Sequence, residues 1–479
     1  MRHPIALALV AGALAAAGEG RAAGSVVPVA KAELPTALHV YGAAVETVTV
    51  TSSKGDVPLS VPFKSLSTRV LEPATYTVRF SVQGESLELP PCNVRGRVSI
   101  DGKWIDPPNG GPFVRKLPDD KPHDVAMEVR VSEYERRIAC GFAPRAGLPQ
   151  DSREELRILG FESPNGNACK GKSCSPGQAV VFVPRAHDDK KPAAVLVGVH
   201  PWNGSMWTYA AYAELLAGAQ EKDMLLLFPS GLGNSLYTAP AEDETMRALA
   251  ALETMVPVDR QRVSIFGASM GGQGATTIGF HHPDRFATIT SFFGDARFDV
   301  KGYVRSLLPD EAAAHRVNPI DVIENARHTP LWLIHGEQDK TSPIVQSQLL
   351  YAAMSERNYK VKFDKDPKYG HHGALVQKHL VALVELAATA RAPAHPTRVS
   401  YKSVRPGDTG AYGVRLVRER ASGDALVDVE YVAGRLRLKA VSNVKELYFK
   451  RGSFGLKEGQ EPDLVPDGPL PAVPAHWEP

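Results

Sequence analysis

The sequence is poor in cysteine: 479 residues hold only Cys92, Cys140, Cys169 and Cys174. That density excludes a small scaffold in which cross-links replace a core. Charge of one sign is lacking too, with Lys+Arg 55 against Asp+Glu 53 and a net +2. So balanced a chain aims no strong field at nucleic acid or an anionic membrane, and neither is expected as a partner. Beyond the first residues no apolar run is long enough to cross a bilayer, so no membrane span is expected. No cysteine sits in a lipid-attachment context. No cluster has the spacing of a metal or cofactor site, and none is expected: the C-x4-C of Cys169 and Cys174 lacks a second pair close by. What remains is an ordinary globular composition, 43% apolar and 23% charged. At roughly 100–200 residues per domain, the length suggests two to four domains.

Residues 1–23 read as a secretory signal: Arg2 and His3, then an apolar run Ile5–Ala17, then small residues. The expected location is periplasmic or extracellular. Four cysteines suit that oxidising setting, with Cys92–Cys140 and Cys169–Cys174 as the expected disulfides.

Residues 24–150 carry short β-branched and aromatic runs, such as Tyr76–Val82 and the strictly alternating Val125–Val131. Asp101-Gly102 marks a hairpin. A β-sandwich-like domain is the expectation. Within residues 151–391 strands alternate with helices: Ala179–Val183, Ala193–Val199 and Met224–Pro229 are near-continuous apolar runs, and later ones end at Phe293, Gly336 and Phe363. This is the pattern of a doubly wound, mostly parallel α/β sheet covered on both faces. Residues 392–460 return to alternation, with Val427–Tyr431 and Arg435–Lys439 across Ala433-Gly434, and read as a small C-terminal β domain. Residues 461–479 are proline-rich without periodicity and read as a tail that is flexible or ordered on contact.

The chemistry centres on Val263–Gly272, where a strand-like run enters Gly267-Ala268-Ser269-Met270-Gly271. A serine on a sharp strand-to-helix turn projects its hydroxyl above the sheet, and flanking glycines leave room for the turn. A hydroxyl needs a base, and the base needs an acid to fix its tautomer. Downstream, each after a predicted strand, lie His335-Gly336-Glu337-Gln338-Asp339 and Gly370-His371-His372-Gly373. Asp339 is the expected acid, with Glu337 and Asp295 as alternatives. His371, directly after Gly370, is preferred over His372 as base. Backbone N–H groups of Met270 and Trp202 are the expected oxyanion donors, the latter from His200-Pro201-Trp202-Asn203-Gly204. Trp207 and Tyr209 are candidate pocket residues. His281-His282 is given no role.

Taken together, these motifs and Val258–Val263 make residues 175–390 resemble the α/β-hydrolase superfamily, especially its esterase and prolyl-oligopeptidase-like branch. The resemblance implies a Ser269–His371–Asp339 triad working through an acyl-enzyme. Proline stands where glycine usually follows the oxyanion-loop histidine. The expected function is an exported serine hydrolase of carboxylesterase type. A serine peptidase and an inactive envelope-binding protein are the alternatives.

Overall fold

The computed structural model describes residues 186–479 except 189, 207 and 303, and, before them, residues 27–29, 37–40, 48–52, 55–56, 66–69, 74–82, 86–89, 95–106, 113–119, 121–131, 156–161, 163 and 177–184. The leading segment 1–23 and all four cysteines, hence both expected disulfides, lie outside the described residues, as does Trp207. The chain divides into two compact units, residues 1–193, 200–235 and 239–258 in the first, and 194–199, 236–238 and 259–479 in the second.

In the first unit a six-stranded sheet runs in the order Gly55–Asp56, Val48–Ser52, Ala74–Val82, His123–Val131, Arg95–Ile100, Lys103–Ile105. Every pairing in it is antiparallel. Period-two alternation decides what is buried. Val125 and Met127 face inward with Tyr76, Val78 and Val98 from the neighbouring strands. The predicted hairpin is present, with Asp101 at φ 49° and Gly102 at φ 80° between the paired Ile100 and Lys103. Two short antiparallel ribbons, Ser86–Leu89 with Phe113–Lys116 and Ala37–Val40 with Leu66–Arg69, lie outside this sheet. The unit also holds an antiparallel series, Val27–Val29, Leu156–Phe161, Gly177–Phe182 and Met224–Pro229.

The second unit carries the parallel strands. Their order is Ala193–Val199, Val258–Ala268, Thr288–Phe292, Leu331–Gly336 and Val361–Asp366. The last four pair in parallel. Within residues 151–391 the strands therefore include an antiparallel series in the first unit and a parallel one in the second. The helix Met270–His281 follows Val258–Ala268 after the single residue Ser269 and is buried at every residue. Three of its four glycines explain how it packs so closely. A Cβ on Gly274 would come within 2.4 Å of the Tyr237 ring, one on Gly279 within 2.3 Å of Ile289, and one on Gly272 within 2.6 Å of the Phe292 carbonyl.

Residues 398–479 form two four-stranded sheets. Their buried faces share one apolar cluster that includes Val399, Tyr401, Leu416, Val427, Leu438, Leu447 and Phe449. The Ala433-Gly434 hairpin is present, both residues at positive φ. Of the two forms expected for residues 461–479, the described strands take the one ordered on contact. Leu464–Pro466 pairs in parallel with Arg435–Ser442, and Ala475–Glu478 pairs in parallel with Val444–Lys450. Trp477 lies 5.3 Å from Phe449, ring to ring. The segment is too short for periodicity to show; the edges of existing sheets impose its extended form. This β region is tied to the segments around it by Tyr401 donating to the His281 carbonyl and Tyr412 to that of Pro283. Asn325 and Lys402 exchange two further hydrogen bonds.

Candidate active site

Ser269 sits between the strand Val258–Ala268 and the helix Met270–His281, at φ 56° and ψ −121°. Such a backbone costs a non-glycine residue on the order of 1–3 kcal/mol and persists only where the surroundings fix it. Here the Ser269 N–H donates to the Phe292 carbonyl and the Ser269 carbonyl accepts from Gln273. The glycine spacing is steric: a Cβ on Gly267 would lie 2.2 Å from the Gly271 carbonyl oxygen and 2.6 Å from that of Val199. Only hydrogen at this position lets the turn close.

Two later loops complete the arrangement. His371 Nε2 lies 2.7 Å from Ser269 Oγ, and His371 Nδ1 lies 2.7 Å from Asp339 Oδ2. A carboxylate can only accept, so Nδ1 carries the proton and Nε2 is left to accept from the serine hydroxyl. Asp339 has no exposed side-chain surface. Its Oδ1 accepts from the backbone N–H groups of Thr341 and Ser342, both at 2.9 Å. These bonds replace the lost water. Gly336 lets the loops meet, since a Cβ there would lie 2.2 Å from the Tyr369 carbonyl.

The alternatives fall elsewhere. His372 caps the helix Gly373–Thr389, its Nδ1 accepting from the Ala374 N–H at 3.0 Å. Glu337 is exposed, two residues before the buried Asp339. Asp295 is half-buried and bonds to Ser342, not to the imidazole. Met270, the first residue of the helix after Ser269, is buried and carries one of the N–H groups a helix start leaves without an intrahelical partner. Trp202 lies in a half-buried turn of the first unit. Tyr209 is buried against Tyr212 and Phe228, as a core residue. His281 is buried in the elbow helix.

Sequence reasoning passed over Phe293. Its ring centroid lies 4.7 Å from that of His371, and its N–H donates to the Ile334 carbonyl. Phe293 itself has φ 40°, and a Cβ on Gly294 would lie 2.4 Å from the Gln273 nitrogen. The available signal was an aromatic followed by glycine at a strand end. His335 was also missed as a support. It is fully buried, with Nδ1 paired to Ser347 Oγ and Nε2 to the Ser342 carbonyl. Burial pushes its imidazole below the ordinary histidine range.

The elbow, the parallel strands and this hydrogen-bonded chain are arranged as they are in α/β-hydrolase serine hydrolases. Residues 238–388 match the family model described as the prolyl oligopeptidase family. Among individual proteins, the chain is similar to S-formylglutathione hydrolase of Paracoccus denitrificans (strain Pd 1222), 27% identical over 130 residues, 26% of this chain and 47% of that protein. It thus spans about half the length of that relative. Two solved structures are also similar. One is an S-formylglutathione hydrolase from Agrobacterium tumefaciens, with TM-score 0.43 and 18% identity, covering 49% of this chain and 95% of that one. The other is the Pyrococcus horikoshii acylaminoacyl peptidase, with TM-score 0.42 and 16% identity, covering 66% of this chain and 54% of that one.

Proposed function

We propose that this protein is an exported serine esterase in which Ser269 is the nucleophile, His371 the general base and acid, and Asp339 the residue that orients the imidazole. The observation that carries the reading is the continuous hydrogen-bonded chain Ser269–His371–Asp339, two 2.7 Å contacts. In the first half-reaction Ser269 Oγ attacks the ester carbonyl while its proton passes to His371 Nε2. The imidazolium is stabilised by buried Asp339, and its proton goes to the departing alcohol. Water then repeats the sequence on the acyl-enzyme, releasing the acid and restoring the serine. The developing oxyanion would be met by the N–H group of Met270, at the start of the helix behind the serine. Loss of one such donor typically costs on the order of 10²–10³ in turnover. No step calls for a metal or organic cofactor. Export rests on the basic start and apolar run of residues 1–23.

The family model that matches residues 238–388 favours a second reading, a serine peptidase using the same three residues. Pocket shape separates the two readings, and it does not follow from the triad. The mature protein and its Ser269→Ala variant should be treated with a fluorophosphonate probe and then assayed on p-nitrophenyl esters beside peptide amides. Labelling and ester turnover by the wild type alone support the esterase. Amide turnover far above ester turnover supports the peptidase. Absence of labelling in a folded protein refutes both and points to the inactive binding protein.

A further inference from the structure

The mechanism above leaves one carboxyl beside the site unused. Asp295 lies three residues beyond the strand Thr288–Phe292, in the turn formed by Phe293 and Gly294. Its Oδ1 accepts from Ser342 Oγ at 2.6 Å. Ser342 is buried, and its own N–H is one of the two that hold Asp339 Oδ1. The Ser342 carbonyl in turn meets His335 Nε2. One residue therefore links three segments: the acid-bearing turn 339–342, the strand carrying His335, and the turn after Thr288–Phe292. We propose that Asp295 is a positioning residue for the Asp339–His371 pair, anchoring the acid-bearing turn through Ser342. This rests on the esterase reading of the same site.

The electrostatics agree with the geometry. Burial pushes the Asp295 carboxyl up from its ordinary range, Asp339 adding to the push while the Ser342 hydroxyl and His371 oppose it. The groups facing it are Ser342 and Asp339 from one loop and His371 from another.

Three variants separate the bond from the charge. Asp295→Ala removes both, Asp295→Asn keeps an oxygen for Ser342 but loses the charge, and Ser342→Ala cuts the bond but keeps the charge. kcat and KM are measured across pH on an activated ester, with the rate of fluorophosphonate labelling as a readout that does not need turnover. Asp295→Ala is expected to lower kcat about tenfold, the worth of one charge-assisted hydrogen bond, with KM within about twofold. Asp295→Asn, which keeps an oxygen for Ser342, should recover most of that loss but stay about two- to threefold below wild type, because a neutral acceptor makes the weaker bond. Ser342→Ala, which cuts the same bond from the other side, should lose kcat to the same extent as Asp295→Ala. Unaltered kcat in the Asp295 variants would overturn the proposal, and so would a loss confined to KM, which would make Asp295 a substrate contact. Should the alanine variants fail to fold, the near-isosteric Asp295→Asn decides alone: a lowered kcat with KM unchanged supports the proposal and an unaltered kcat overturns it. Failure of the wild type to turn over ester at Ser269 would instead refute the esterase reading, and this inference with it.

Discussion

Replacing Asp339 by asparagine tests the chain of hydrogen bonds most directly, because the amide has the carboxylate's shape with one oxygen turned into a donor. The side chain has two placements. If its oxygen stays on the N–H groups of Thr341 and Ser342, the NH₂ faces His371 Nδ1, 2.7 Å away in the native protein. Nδ1 must then accept, the ring proton moves to Nε2, and Nε2 donates to Ser269 where it should take a proton. If the amide flips, the imidazole keeps its tautomer but two buried N–H groups face an NH₂. Each costs about 1–3 kcal/mol, so the flip is disfavoured by about 2–6 kcal/mol and the wrong tautomer prevails. Loss of the base by this route in a serine triad is worth about 10⁴ in kcat, equivalent to about 5.4 kcal/mol at 1.36 per decade. The assay is steady-state hydrolysis of a p-nitrophenyl ester with circular dichroism as the fold control. A folded Asp339→Asn enzyme within tenfold of wild type would refute the tautomer argument.

Other outcomes follow from the same geometry. Gly267→Ala places a methyl against two backbone carbonyls that cannot turn aside, so it should cost about 3 kcal/mol or more in urea unfolding and abolish labelling of Ser269. Asp428 accepts both ends of the Arg398 guanidinium and a longer bond from Arg327. Asp428→Ala leaves two half-buried cations facing each other and should cost about 2 kcal/mol, less than a fully buried pair because solvent reaches the arginines. Glu244 is buried and accepts from Ser163 and Ser230, and burial holds its carboxyl above the ordinary 4.5. The folded state thus keeps a proton that the unfolded chain gives up, so the stability this group contributes is present below pH 4.5 and lost as pH rises through the folded value. The melting temperature of Glu244→Gln relative to wild type should therefore climb with pH above about 4.5; a difference flat in pH would refute this assignment.

Much of this architecture is visible in short-range pattern. The alternation of Val125–Val131 fixes which face is buried, and Asp101-Gly102 and Ala433-Gly434 fix hairpins because both positions need positive φ. Gly267, Ser269 and Gly271 announce the elbow because its turn leaves no room for a Cβ at Gly267. Residues 294–330 were less legible. They fold as short helices, Val304–Leu307 and Glu311–His315, and a kinked 3₁₀ stretch Pro319–His328, all too brief for a helical period to emerge.

By itself, the sequence determined the order of strands and helices, the turn residues, and a short list of partners for Ser269. Those properties depend on neighbours within a few residues, where sterics and side-chain period act. Only the tertiary structure decided which member of each pair stands where: His371 at the serine while His372 caps a helix, Asp339 buried while Glu337 is exposed, and Asp295 joined to the site through Ser342. The contacts that make these distinctions span 102, 32 and 47 residues of chain. Their geometry is set by the register of parallel strands and the height at which each loop leaves the sheet. The same holds for the final strands, whose extended form comes from the sheet edges they complete.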